Sequence, residues 1–152
     1  MVRLTDLSSD ERKFLLDYDC PTIDLQGFNA GPPMAQRRVA VVTTAGLRRA
    51  TDRAYAVDAT DYRLLPAQRR HEFVMDHISG GHDRTGFAQD LNTVLPLDRL
   101  DELAAEGTIG GVAETHYSFM GAGNVFGMRA PVEQIVPALK AERVNTVLLS
   151  PV

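Results

Sequence analysis

The sequence predicts an α/β fold, a single three-layer domain on a largely parallel sheet of Rossmann-like or flavodoxin-like type. Residues 38–44 and 145–152 are rich in β-branched and apolar side chains, as strands covered on both faces must be. Between them, strand-like runs alternate with segments of helical periodicity, the order that crossover connections produce. A chain of 152 residues that is 44% hydrophobic and 24% charged supplies one core and little more, and no internal repeat or low-complexity tract divides it.

The chain reads as residues 1–37, an N-terminal helix with a wrapping arm, followed by the α/β domain over 38–152. Ser8 and Glu11 have the spacing of a capping box, and Phe14, Leu15 and Tyr18 follow at helical intervals, which predicts a helix over 9–18. Pro21, Gly27, Gly31, Pro32 and Pro33 then break any regular element and make the arm. The first core strand, 38–44, opens into Ala45 and Gly46, and 62–65 and 73–78 read as further short strands. Pro96 in a first turn, an apolar face of Leu97, Leu100, Leu103 and Ala104, and Gly107 just beyond mark the clearest helix. Residues 110–119 read as a strand ending in His116, Tyr117 and Ser118, with a glycine-rich loop behind it over 120–124. Val132, Ile135, Val136 and Leu139 keep helical spacing, though Pro137 is expected to kink or split that helix. The last strand, centred on 146–149, is of buried type and has no crossover helix after it, so a partner subunit or a missing segment is expected to cover it.

Charge and composition exclude several classes. A formal net charge of -4 and a pI near 5.5 leave no basic footprint for nucleic acid or an anionic membrane. No apolar stretch approaches the roughly 18 residues that a membrane helix needs, and the start turns polar by Asp6, so a cytoplasmic protein is expected. The single cysteine, Cys20, allows neither an internal disulfide nor a multi-cysteine metal site.

In open α/β sheets the loops after strand carboxyl ends converge on the binding crevice, which directs attention to four places. Thr43, Thr44 and Gly46 follow the first strand and could hold a carboxylate or phosphate, or simply form a turn. The loop Gly80-Gly81-His82-Asp83-Arg84-Thr85 carries an imidazole, a carboxylate and a guanidinium. There Arg84 suits a substrate carboxylate and Asp83 could orient His77 or His82; the plainer reading is an ion pair with Asp83 or Thr85 capping a helix. Asp90 and Asn92 belong beside this loop or at a helix end. His116, Tyr117 and Ser118 place a proton donor or acceptor next to flexible glycines, or form a half-buried packed cluster. The fourth place is the end of the last strand itself. The spacing of His77, His82, Asp83 and His116 matches no metal motif, so no metal is assigned, and Cys20 is either a reactive thiol or a small core residue.

Several of these stretches resemble the selenoprotein B subunit family of the glycine, sarcosine, betaine and D-proline reductases. The resemblance is carried by 83–87, by Asp90-Leu91-Asn92-Thr93-Val94-Leu95-Pro96-Leu97-Asp98-Arg99-Leu100, by 106–110, by Val41-Val42-Thr43-Thr44-Ala45-Gly46, by 116–121 and by 147–152. It runs from about residue 38 to the end, and short stand-alone members share the arm around Cys20. It implies reductive cleavage of a C–N bond at the α-carbon of an amino acid or its N-methyl derivative. The substrate amine would bind a pyruvoyl group on a separate subunit, small redox proteins would serve as further partners, and no cofactor would sit in this chain. A selenolate is the implied nucleophile, because the anion attacks and selenium is ionised at neutral pH. The family places that selenocysteine, or a cysteine, directly after the strand matching 147–152, which leads to the expectation that this chain stops at a UGA selenocysteine codon. The implied site is lined by Thr43, Thr44, Gly46, Asp83, Arg84, His116, Tyr117 and Ser118 without a nucleophile among them. Two other readings stay open: a non-catalytic ligand-binding or assembly module, with a homo-oligomer among its forms, and a thiol enzyme built on Cys20.

Overall fold

The strand Arg38–Thr43, β1, is the axis around which the rest is arranged. The computed structural model describes residues 3–18, 27, 30–79, 84–122 and 124–152; Cys20 and most of the arm, with 80–83, lie outside the described residues. In chain order come α1 (Ser9–Asp17), β1, β2 (Leu47–Arg49), β3 (Tyr62–Pro66), β4 (Phe73–Met75), α2 (Thr85–Gln89) and α3 (Leu97–Ala105). They are followed by β5 (Gly111–Val112), β6 (Thr115–Phe119), α4 (Arg129–Ala141) and β7 (Thr146–Ser150). One edge of β1 pairs in parallel with β7 along its length, Val39 opposite Thr146 and Thr43 opposite Ser150. The other edge is shared, in parallel, by β5 near its start and β6 near its end. β3 then adds to the far side of β6, antiparallel, with Tyr62 opposite Phe119. The domain is therefore α/β with a mostly parallel sheet, as its sequence predicts.

Alternation along β1 sends Val39 and Val41 into one apolar core with Leu65, Leu95, Leu97, Leu100 and Ile109, so α3 buries its Leu97 and Leu100 against the sheet. α1 forms with both halves of its capping box, the Ser8 hydroxyl taking the Glu11 N–H and the Glu11 carboxylate taking the Ser8 N–H. It buries none of its residues, and Phe14 is 65% exposed. Among the described residues no helix is long and apolar enough to cross a membrane.

Several elements differ from expectation for identifiable reasons. The strand expected over 110–119 is two, because the amides of Glu114 and Thr115 turn out of the ladder to the Glu142 carboxylate at 2.9 and 3.2 Å. The run 73–78 yields only the three residues of β4, which pair with the unforeseen β2 in a separate antiparallel ribbon. α4 continues through Pro137; the bond Pro137 cannot donate would go to Glu133, and both residues are exposed, so the orphaned carbonyl faces solvent. β7 is not of buried type. Val147, Leu148 and Leu149 are all exposed, Leu149 to 69%, because the strand lies at the sheet edge.

Candidate functional site

Parallel pairing brings the carboxyl ends of β1, β6 and β7 side by side, and the chain leaving each one turns over the same edge. Thr44 sits at its centre. Its N–H donates to the Ser150 carbonyl at 3.2 Å and its hydroxyl oxygen accepts the Val152 N–H at 2.9 Å. The Ser150 hydroxyl donates to the Val94 carbonyl at 3.0 Å, tying the end of β7 to the segment that leads into α3.

Two left-handed glycines close the other side. Gly46, at φ +64°, donates to the Phe119 carbonyl, and a Cβ there would lie 2.9 Å from the backbone of His77. Gly121, at φ +84°, comes so near Thr44 that a Cβ would meet the Thr44 carbonyl oxygen at 2.5 Å and His77 Nε2 at 3.2 Å. Only glycine fits both the dihedral angle and the space at these positions. His77 is thus clasped between two loops and buried. Its Nδ1 accepts the Ser79 N–H at 3.2 Å, which places the proton of the neutral ring on Nε2, and its carbonyl accepts a bond from the Arg84 guanidinium.

Of the residues singled out from the sequence, Thr44, Gly46, His77 and Arg84 meet at this edge. Thr43, His116, Tyr117 and Ser118 lie just beneath it, each buried. The Thr43 hydroxyl accepts the Ala45 N–H at 3.2 Å and shapes the turn. The Ser118 hydroxyl accepts the Leu47 N–H at 2.8 Å, fastening β2 to β6. Tyr117 packs edge-on against Tyr62, centroids 5.7 Å apart, and burial pushes its phenol above the ordinary range. His116 accepts the Val41 N–H on Nδ1 at 2.9 Å while its buried Nε2 has no partner among the described residues. Burial drives its pKa down to about 4, so the ring is neutral at pH 7.

Asp83, with His82, and Cys20 lie outside the described residues. Asp90 takes the helix-end role, its carboxylate accepting the Asn92 N–H at 2.9 Å. Thr85 begins α2 without a side-chain cap from Arg84 before it. Among the described residues no group of three or more His, Cys, Asp or Glu side chains is arranged to hold a metal. The glycine-rich loop expected behind His116, Tyr117 and Ser118 supplies Gly121 with its contact on Thr44. One contributor escaped the sequence reading of the edge, Tyr55, whose buried hydroxyl donates to the Ser118 carbonyl at 2.6 Å and which nothing local signals. Chemically, the edge offers a hydroxyl, a buried imidazole, a guanidinium and close-packed backbone, a set suited to orienting a small polar ligand but holding no described nucleophile.

Comparison with known proteins gives a family match across residues 8–152, to the family described as glycine/sarcosine/betaine reductase selenoprotein B. The chain is 33% identical over 121 residues to the sarcosine reductase complex component B subunit beta of Peptoclostridium acidaminophilum, covering 76% of this chain and 28% of that protein. It is 32% identical over 117 residues to the D-proline reductase subunit gamma of Acetoanaerobium sticklandii, covering 74% of this chain and 47% of the relative. A glycine reductase complex component B subunit gamma from Carboxydothermus hydrogenoformans is 28% identical over 140 residues, covering 84% of this chain and 32% of its own length. The chain therefore spans less than half the length of these relatives. No solved structure matches it significantly.

Proposed function

The chain belongs to the glycine/sarcosine/betaine reductase selenoprotein B family, and we propose that it acts as the B-type component of a multi-subunit reductase that cleaves the C–N bond of an amino acid or its N-methyl derivative. The observation that carries this reading is the family match over residues 8–152. It is supported by relatives that are named as components of reductase complexes. In this reading the edge formed by Thr44, Gly46, His77, Arg84 and Gly121 borders the reacting centre. Arg84 contributes positive charge for a substrate carboxylate, and His77, clasped by Gly46 and Gly121, fixes the shape of that border. Thr43, His116, Tyr117 and Ser118 hold that edge in shape from below. The nucleophile is assigned to no residue of this chain, and the pyruvoyl group that holds the substrate amine is supplied by a partner subunit.

Reconstitution tests it. The chain is co-expressed with a pyruvoyl-type subunit from the same genome and offered glycine, sarcosine, betaine or D-proline with a dithiol reductant. The expected result is a stable complex, with reduction of one of these substrates that depends on this chain only when a selenocysteine- or cysteine-bearing component is also present to supply the nucleophile. Binding of a substrate by the chain, with neither complex nor C–N cleavage when the partner subunit is present, would replace the reductase reading with that of a binding module.

A further inference from the structure

Four arginines, Arg48, Arg49, Arg53 and Arg63, gather where β2, the loop after it and the start of β3 meet. Three are each paired with a carboxylate. Arg48 binds the Asp76 carboxylate at 3.0 Å and reaches the carbonyls of Arg49, Ala50 and Asp52. Arg49 forks onto Asp52 at 2.6 and 3.1 Å. Arg63 binds Asp61 at 2.7 Å, donates to the Arg53 and Tyr62 carbonyls and lies 4.4 Å over the Tyr55 ring. Arg53 is the exception. Its guanidinium makes no ion pair or hydrogen bond among the described residues, while its backbone is pinned by Arg63 at 3.1 Å.

Arg53 opens onto a cleft of about 360 Å³ that it shares with Arg49, Asp52, Asp61, Tyr62 and Arg63. Three arginines and two aspartates line it, and both carboxylates are already paired, with Arg49 and Arg63, so the surplus positive charge is one and resides on Arg53. We propose that this cleft is a binding site for a small monocarboxylate of amino-acid size, held by the Arg53 guanidinium. A planar fork with parallel N–H donors matches a carboxylate, and a single negative charge balances the surplus, whereas a doubly charged phosphate would leave a negative charge beside Asp52 and Asp61. The cleft adjoins the Thr44 edge without being part of it: Tyr62, on β3, lies opposite Phe119, whose carbonyl takes the Gly46 N–H, and β3 is two strands away from β1 and on the far side of the sheet from β7. It rests on no part of the reductase reading, and either can fail alone.

The test follows the arginine Nε–Hε and tyrosine ring resonances of the full chain while acetate, glycine or betaine is added at ionic strength held constant with chloride. One exposed guanidinium binds weakly, so saturation is expected on the order of millimolar, weakening as salt rises. Arg53→Gln should lower the affinity by about tenfold or more and Arg53→Lys by less. Arg53 is exposed and its side chain makes no hydrogen bond or ion pair among the described residues, while its carbonyl keeps the Arg63 bond in any variant, so both variants should keep the melting temperature. A linear response without saturation, an unchanged curve in Arg53→Gln, or an equal response to phosphate would overturn the assignment.

Discussion

The imidazole of His116 takes the place of a backbone acceptor for Val41: Nδ1 receives the Val41 N–H at 2.9 Å at the point where β5 has ended and β6 has only begun. A side chain thereby completes the hydrogen bonding of the central strand across the break. Only the unprotonated ring can do so, because a protonated Nδ1 is a donor.

Acid should therefore weaken the fold in a defined window. His116 has its pKa lowered from 6.5 to about 4 by burial, so the native state binds fewer protons than the unfolded chain. Its contribution is complete above pH 6.5 and is lost as pH falls toward 4, amounting to about 3 kcal/mol. Denaturation midpoints measured across that range should fall with pH. In His116→Asn, which keeps an acceptor but does not titrate, the slope should flatten; an equally steep slope would assign the effect to other groups.

Ser118→Ala removes the acceptor of the buried Leu47 N–H. Orphaning a buried donor costs about 1–3 kcal/mol, and urea denaturation should register it with an unchanged m-value. A loss under about 0.5 kcal/mol would mean that β2 is held by its pairing with β4 alone.

Gly121 and Gly107 form a matched pair for separating strain from contact. Both have positive φ, but a Cβ at Gly107 meets nothing within 4 Å and one at Gly121 strikes the Thr44 carbonyl. Gly107→Ala should cost about 1 kcal/mol and Gly121→Ala at least twice that, roughly 2–4 kcal/mol. Chemical shifts of Thr44 and His77 should move only in the second variant.

The Glu142 carboxylate staples the break between β5 and β6. Burial pushes its pKa up, but hydrogen bonds from Thr115 and Glu114 outweigh this and leave it below the ordinary value. Glu142→Ala should cost about 1–3 kcal/mol and speed hydrogen exchange at the Glu114 and Thr115 amides, with Glu142→Gln intermediate. Unchanged exchange at those two amides would show that the break holds without the staple.

What could be read in advance was whatever the chain announces locally. α1 has its capping box, α3 its proline start and glycine stop, and β1 its apolar run, and each formed where these signals placed it. The break at 113–114 could not be read, since it depends on a carboxylate 28 residues away. β2 escaped because two of its three residues are arginines that look like loop. At the edge, Thr44, Gly46 and Arg84 were legible from the rule that strand carboxyl ends carry binding groups. His116, Tyr117 and Ser118 followed the same rule but lie inward, because β6 is flanked by β3 and β1 and the chain after Phe119 folds over its end. The clasp of Gly46 and Gly121 on His77 is purely tertiary and leaves no periodic trace.

The position of β1 also dictates a timetable. Val41 must wait for His116, 75 residues later, and Arg38 for Asn145, 107 residues later, before their main-chain groups find these partners. On a ribosome the central strand would therefore emerge long before anything it can pair with, leaving an apolar run unsheltered until β5 and β6 follow. Such a chain should refold slowly for its size, and its demand for chaperones should peak before the residues of β7 are made.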